Sequence, residues 1–122
     1  MKMKMNIGKK YLQSVILTCL LISSSGASAA AEWVSGKVLY LYTDSSLFGG
    51  CMVHIESETS LSCPQRWFSM GCAGDFLSKQ EASKNYDMAQ MAFAMDIPVN
   101  VWVNDSLKYN GYCVGTGIYF GR

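Results

Sequence analysis

The chain has 122 residues, which is enough for one domain, and half of the residues are hydrophobic. Ten basic and nine acidic residues give a formal net charge of +1, but four of the basic residues lie within the first ten positions. Without them, six basic and nine acidic residues leave a charge of about −3. A mildly acidic domain lacks the basic surface that nucleic acids and anionic lipids require, so we expect neither as a partner.

Residues 1–31 have the three parts of a secretory signal peptide. Four early lysines are followed by the apolar run Val15–Ile22 and then by the small-residue stretch Ser23–Ala31. The apolar run is far shorter than the roughly 20 residues that a membrane-spanning helix needs. We therefore predict a cleavable signal peptide, a single mature domain at 32–122, a secreted or periplasmic location and no membrane span.

Two Ala-x-Ala patterns, which end at Ala29 and at Ala31, could direct the cleavage. We favour Ala31, which gives a mature chain that begins at Glu32. Cys19 lies in the middle of the apolar run, directly after Thr18, and lacks the small preceding residue that lipidation usually requires. We expect it to be discarded with the signal peptide.

The mature domain contains four cysteines, at positions Cys51, Cys63, Cys72 and Cys113. An even number in a small exported domain predicts two disulfide bonds. No Cys-x-x-Cys pair is present, so the spacing argues against a zinc site, and we expect no metal and no cofactor. Spacing alone leaves all three pairings of the four cysteines open.

Three strands are predicted in the first half of the mature domain. They are Lys37–Thr43, Cys51–Ile55 and Arg66–Met70, each rich in β-branched or aromatic residues. The polar segment Glu56–Gln65 between the second and third strands is predicted to be a loop.

One helix follows. Ser78 and Glu81 match a capping box at its start, and Pro98 marks its outer limit. Two apolar stripes run along it: Ala82, Tyr86, Ala89 and Phe93 form the first, and Met88, Met91, Ala92 and Met95 form the second. One stripe is sufficient to cover a sheet. The second therefore indicates either gap-filling methionines in a thick core or contact with another copy of the chain.

Two further strands complete the domain. Val99–Val103 alternates apolar and polar residues, Asn110-Gly111 is a turn signal, and Tyr112–Phe120 alternates again. The predicted order is β-β-β-α-β-β. Five strands with one helix after the third is the order of an OB-like five-stranded barrel, a small β-rich α+β fold. A two-layer α+β sheet with the helix on one face is the alternative.

Candidate catalytic groups are few. His54 is the only histidine, and its position in the strand is predicted to face solvent. Glu56 and Glu58 lie in the polar loop and are expected to be solvated. Neither a nucleophile motif nor a metalloprotease or phosphate-binding motif is present. We therefore predict that the protein is not an enzyme.

Aromatic residues suggest a binding surface instead. Trp102 and Tyr119 have the opposite strand parity to the neighbouring apolar rows, so we expect them on the outer face. Exposed aromatic rings beside Asn, Ser and Asp side chains are suited to stacking on a sugar and bonding its hydroxyl groups. The alternative is that these rings cover the helix or fill a subunit contact.

The chain resembles the OB-fold B subunits of AB5 toxins, nearest to those of subtilase cytotoxin and typhoid toxin. The shared features are Ala31–Trp33 at the start of the mature domain, Cys51 opening the second strand, Cys72 closing the third, and Asp87–Gln90 in a helix that leads into Val99–Val103. The second half is also similar to small uncharacterised secreted bacterial proteins with four cysteines.

The resemblance implies a pentamer whose central helices line a pore, with glycan binding by each subunit. It also implies disulfides Cys51–Cys72 and Cys63–Cys113. A hairpin that pairs Ile55 with Phe68 would place Cys51 opposite Cys72. The sugar-contacting Ser and Lys positions of the family do not map onto this chain, so no binding residue is transferred.

These observations predict a secreted, non-enzymatic binding module, with a glycan-binding toxin-type B subunit as its specific form. Its partner would be a glycan or a protein of the cell envelope or of a host. The alternative is a small exported structural or inhibitor domain that acts through protein–protein contacts.

Overall fold

A computed structural model of the protein describes residues 30–121. The predicted signal peptide and Cys19 lie outside this range, apart from Ala30 and Ala31. The elements are β1 Ala31–Gly36, β2 Val38–Thr43, β3 Cys51–Ile55, β4 Trp67–Ser69, α1 Lys79–Met95, β5 Val99–Tyr109 and β6 Tyr112–Tyr119, with a short 3-10 turn at Pro64–Arg66. Among these residues, no helix combines the length and the apolar character that a membrane crossing needs.

The five predicted strands and the helix are present, and β5 continues to Tyr109, beyond its predicted end at Val103. Strand β1 was not predicted, and the order is therefore β-β-β-β-α-β-β. A single residue, Lys37, separates β1 from β2. The preceding Gly36 makes this corner feasible, because a Cβ there would lie 2.6 Å from Oγ of Ser57.

The strands form one six-stranded sheet in the order β1-β5-β6-β4-β3-β2. Neighbours are antiparallel except β4 and β6, which are parallel. The prediction of a closed five-stranded barrel is wrong, since the sheet is open and β1 and β2 are its edges. Because only Lys37 connects these two edges, they meet at one corner and the sheet curves strongly there.

The core lies between the inner face of this sheet and α1, which packs against β2 and β6. Its buried strand residues include Val34, Val53, Ile55, Phe68, Val99, Val101 and Val103. The predicted inward row of alternating valines in β5 is confirmed. Full burial of each valine or phenylalanine contributes about 1.5–3 kcal/mol before entropy costs, so this row is a main source of stability.

The helix begins as its sequence predicts. Oγ of Ser78 accepts a hydrogen bond from the backbone N–H of Glu81 at 3.1 Å, which satisfies one of the free amides of the first turn. The helix ends at Met95, before Pro98, because Asp96 has a left-handed conformation with φ of 54°.

The helix buries one face, formed by Ala82, Tyr86, Ala89 and Ala92. The prediction that Phe93 belongs to the buried stripe is therefore wrong, since Phe93 is 46% exposed and lies outside the core. In the second stripe only Ala92 is buried, and Met91 and Met95 are more than half exposed. Within one chain Met91 and Met95 therefore do not fill the core, and Met88 is only partly buried.

Two disulfides join the pairs that the resemblance implied, Cys51–Cys72 and Cys63–Cys113. The second connects the loop before β4 to the start of β6. Each bridge has one fully buried partner, Cys51 or Cys113.

The predicted register of the β3–β4 hairpin is wrong by two residues. Val53, and not Ile55, pairs with Phe68. The carbonyl of Cys51 accepts a hydrogen bond from the N–H of Met70 at 2.9 Å, so Cys72 lies beyond the ladder. It still reaches Cys51, because the chain turns at Gly71, whose φ is 71°.

Candidate ligand-binding site

Three aromatic side chains meet on the outer face of β1, β5 and β6, and we call this cluster the tryptophan site: Trp33, Trp102 and Tyr119. Trp33 is paired with Trp102 across the β1–β5 ladder, and Tyr119 is paired with Asn100 across the β5–β6 ladder. Side chains alternate between the two faces of a sheet along each strand. Because Val101 points into the core, Asn100 and Trp102 point outward, and so do their ladder partners Tyr119 and Trp33.

Trp33 is in contact with the other two rings, and Trp102 is partly buried while Trp33 and Tyr119 remain exposed. The ring centroids of Trp33 and Trp102 are 5.2 Å apart with planes at 58°, and those of Trp33 and Tyr119 are 4.9 Å apart at 76°. These tilted and edge-to-face arrangements are favourable for aromatic pairs. Trp33 is 49% exposed and Tyr119 is 52% exposed, so the cluster offers rigid apolar surface to a ligand.

A shallow depression of about 320 Å³ lies beside the rings, lined by Trp33, Trp102, Thr116 and Gly117. Gly117 adds no side chain to the depression, and a Cβ at this position would lie 3.8 Å from Cβ of Trp102. The volume is at the lower end of the range for small-ligand sites. None of the lining residues is charged.

Polar groups lie next to the rings in the neighbouring rows of the ladder. Oγ of Ser35 donates a hydrogen bond to Oδ1 of Asn100, its partner across the ladder. This bond orients the amide, so that its Nδ2 remains a donor for a ligand, while Oγ of Ser35 and the hydroxyl of Thr116 can accept. The site therefore combines apolar ring surface with neutral hydrogen-bonding groups.

Both predicted ligand-binding residues, Trp102 and Tyr119, belong to this site. Each of their rings contacts the ring of Trp33, which lies between them. Sequence reasoning did not single out Trp33, because β1 was not predicted. The alternation Trp33-Val34-Ser35, with only the valine buried, is the signal that could have indicated its outward direction.

A second aromatic surface lies on the outer side of β2, β3 and β4. Its centre is an apolar pocket of about 210 Å³, which we call the Tyr42 pocket, lined by Tyr42, Phe48, Met52, Trp67 and Tyr112. Phe48 stands edge-on to Tyr112, with centroids 5.3 Å apart. The sequence did not predict this pocket, since its members come from four strands and from the loop that contains Phe48.

His54 lies on the outer face of β3, as its strand parity predicts, but it is only partly exposed to solvent. Its ring is half-buried and lies 5.6 Å from that of Tyr40 and 5.0 Å from that of Trp67, because aromatic side chains cover this face. Nδ1 of His54 is buried without a hydrogen-bond partner among the described residues.

Across residues 30–121 no cluster of three potential metal ligands occurs. Glu58 forms an exposed ion pair with Arg66, 3.9 Å apart.

Glu32, next to Trp33, joins β1 to the loop after β3. Its carboxylate accepts hydrogen bonds from the hydroxyl of Thr59, from the backbone N–H of Ser60 at 3.1 Å and from the hydroxyl of Ser60 at 2.7 Å. The Thr59 hydroxyl, followed by that of Ser60, lowers the pKa of Glu32 below its ordinary value. These bonds hold the strand that presents Trp33.

Comparison of the chain with protein-family models, with curated proteins and with solved structures gave no match.

Proposed function

We propose that this protein is a secreted or periplasmic, non-enzymatic binding module that binds a neutral glycan at the tryptophan site. The observation that carries the proposal is the cluster of three packed rings, two of them about half exposed and Trp102 partly buried, beside uncharged hydrogen-bonding groups. The two disulfides support export, because such bonds persist mainly in oxidising compartments.

The chemistry of a sugar fits these groups. The C–H face of a pyranose ring is apolar and can stack on Trp33 or Tyr119, while its hydroxyl groups can bond Asn100, Ser35 and Thr116. The depression is small, so we expect one terminal sugar to enter it and the rest of the glycan to lie outside.

The fold we propose is OB-like. If β1 and β2 are counted as one strand bent at Gly36, the domain has five strands with the helix after the third, which is the OB-like order. The meeting of the two sheet edges at Lys37 also supports this interpretation.

We further propose a toxin-type B subunit that forms a homo-oligomer, as the resemblance to pentameric B subunits implies. The exposed side chains of Met91, Phe93 and Met95 on α1 supply apolar surface for such contacts. Several copies would multiply a weak single-site affinity for a glycan-bearing surface. Analytical ultracentrifugation of the exported protein tests this part, and a strict monomer at all concentrations would reject it.

A glycan array probed with the exported protein tests the binding function. Trp33→Ala and Trp102→Ala should each weaken binding by about 1–2 kcal/mol, or roughly 5–30-fold in Kd. Tyr40→Ala is the matched control, because Tyr40 is also an exposed outer-face ring, 61% exposed, but lies away from the site. An array without signal, or an equal loss in the control, would reject the proposal.

The Tyr42 pocket favours a second candidate function, a small exported structural or inhibitor domain that acts through protein contacts. Its volume of about 210 Å³ suits one bulky side chain of a protein partner, and Tyr, Trp and Met are enriched in protein interfaces. In a pull-down from an envelope extract, Trp67→Ala should then release the partner, whereas free sugars should not compete. Competition by sugars would favour the glycan function instead.

A further inference from the structure

The start of β1 is bound to Asp105 in β5. The backbone N–H of Ala30 donates a hydrogen bond to Oδ1 of Asp105 at 2.8 Å, and the N–H of Asp105 donates to the carbonyl of Ala30 at 3.0 Å. The ladder continues with Ala31 opposite Asn104 and Glu32 opposite Val103. Ala30 and Ala31 therefore belong to the folded sheet.

The two Ala-x-Ala patterns differ in what cleavage would remove. A cut after Ala31 would delete both hydrogen bonds between Ala30 and Asp105 and one pair of the ladder. It would also place a charged amino group on Glu32, opposite the fully buried Val103, which offers no counter-ion. A cut after Ala29 keeps every one of these contacts.

We infer that the exported chain is cut between Ala29 and Ala30, and that Asp105 binds the new α-ammonium group of Ala30. In the hydrolysis, water supplies a hydroxyl group to the carbonyl carbon of Ala29 and a proton to the nitrogen of Ala30. The released amine takes up a further proton from solvent at neutral pH. The existing hydrogen bond to the carboxylate thereby gains a positively charged donor and becomes an ion pair, which is stronger than the amide's bond in the precursor.

Under this inference the mature domain begins at Ala30, and not at Glu32, the start favoured from the sequence. The inference rests on the export part of the proposed function but not on glycan binding. A failed glycan array would therefore leave it unchanged, and a different N-terminus would leave the tryptophan site unchanged.

The first test is to express the full-length chain, isolate the exported protein, and determine its intact mass and N-terminal sequence. The candidate products differ by one or two alanine residues, which mass spectrometry resolves. We expect Ala30 as the first residue. A chain that begins at Ala31 or Glu32, or an uncut chain, would overturn the inference.

The second test measures thermal unfolding of exported variants. Asp105→Asn keeps the shape of the side chain but removes its charge, and should lower Tm by about 2–5 °C at low salt. In about 1 M salt, where the Debye length falls to about 3 Å, the difference should shrink by half or more. Asp87→Asn is the control, since this carboxylate is exposed on α1. A Tm for Asp105→Asn equal to that of the control, or a decrease insensitive to salt, would overturn the ion pair.

Discussion

Removing the Cys63–Cys113 bridge should destabilise the protein more than removing Cys51–Cys72. The first closes a loop with a sequence separation of 50 residues and the second a loop of 21. In the chain-entropy model, these lengths correspond to about 4 and about 3 kcal/mol, a difference of about 0.8 kcal/mol. A domain of this size has a total stability of roughly 5–14 kcal/mol, so either loss is a large fraction.

The two bridges are a matched pair for this comparison, because each has one fully buried and one half-buried cysteine. Replacing both members of a bridge by alanine should therefore leave similar cavities, and the loop length decides the order. Guanidinium unfolding of the two double-alanine variants, compared through their midpoints at a common m value, avoids the error of long extrapolation. If the variant that lacks Cys51–Cys72 unfolds at the same or lower denaturant concentration, the loop-length reasoning is refuted.

Three further predictions concern single residues. Gly49→Ala should cost about 2–4 kcal/mol, because Gly49 has a φ of 82° and a Cβ would lie 2.6 Å from the ring of Tyr109. Gly111→Ala is its control, since φ is 88° there but nothing lies within 4 Å of the added carbon, and an equal loss in chemical denaturation would contradict the steric account. The pKa of Glu32 is lowered in the folded state from an ordinary value of 4.5. Its stabilising contribution is therefore complete above that value and is lost as the pH falls through the lower folded pKa. Unfolding midpoints measured against pH should thus fall less steeply in acid for Glu32→Gln than for the natural chain, and identical slopes would contradict this role. Ser78→Ala should cost about 1 kcal/mol through the lost N-cap, or about 4–8 °C in Tm, whereas Ser78→Asp should retain most of it; equal melting of the two variants would rule out the cap.

The amino-acid sequence by itself determined the local elements of this protein. Ser78 and Glu81 predicted the start of the helix, and the alternation at Val99–Val103 predicted which side of β5 is buried. Strand β3 has the predicted bounds, Cys51–Ile55. These features depend on hydrogen bonds and side-chain directions within a few residues, so a short window of sequence contains the information.

Only the tertiary structure decided how these elements combine. Strand β1 forms because β5 provides its hydrogen bonds from some 70 residues away, and this pairing brings Trp33 between Trp102 and Tyr119. His54 is half-buried because rings from β2 and β4 converge on it. Pairing across such distances depends on the burial and hydrogen bonding of the whole sheet, which no local pattern specifies. The candidate site is therefore a product of the fold, although two of its three rings were predicted from strand parity.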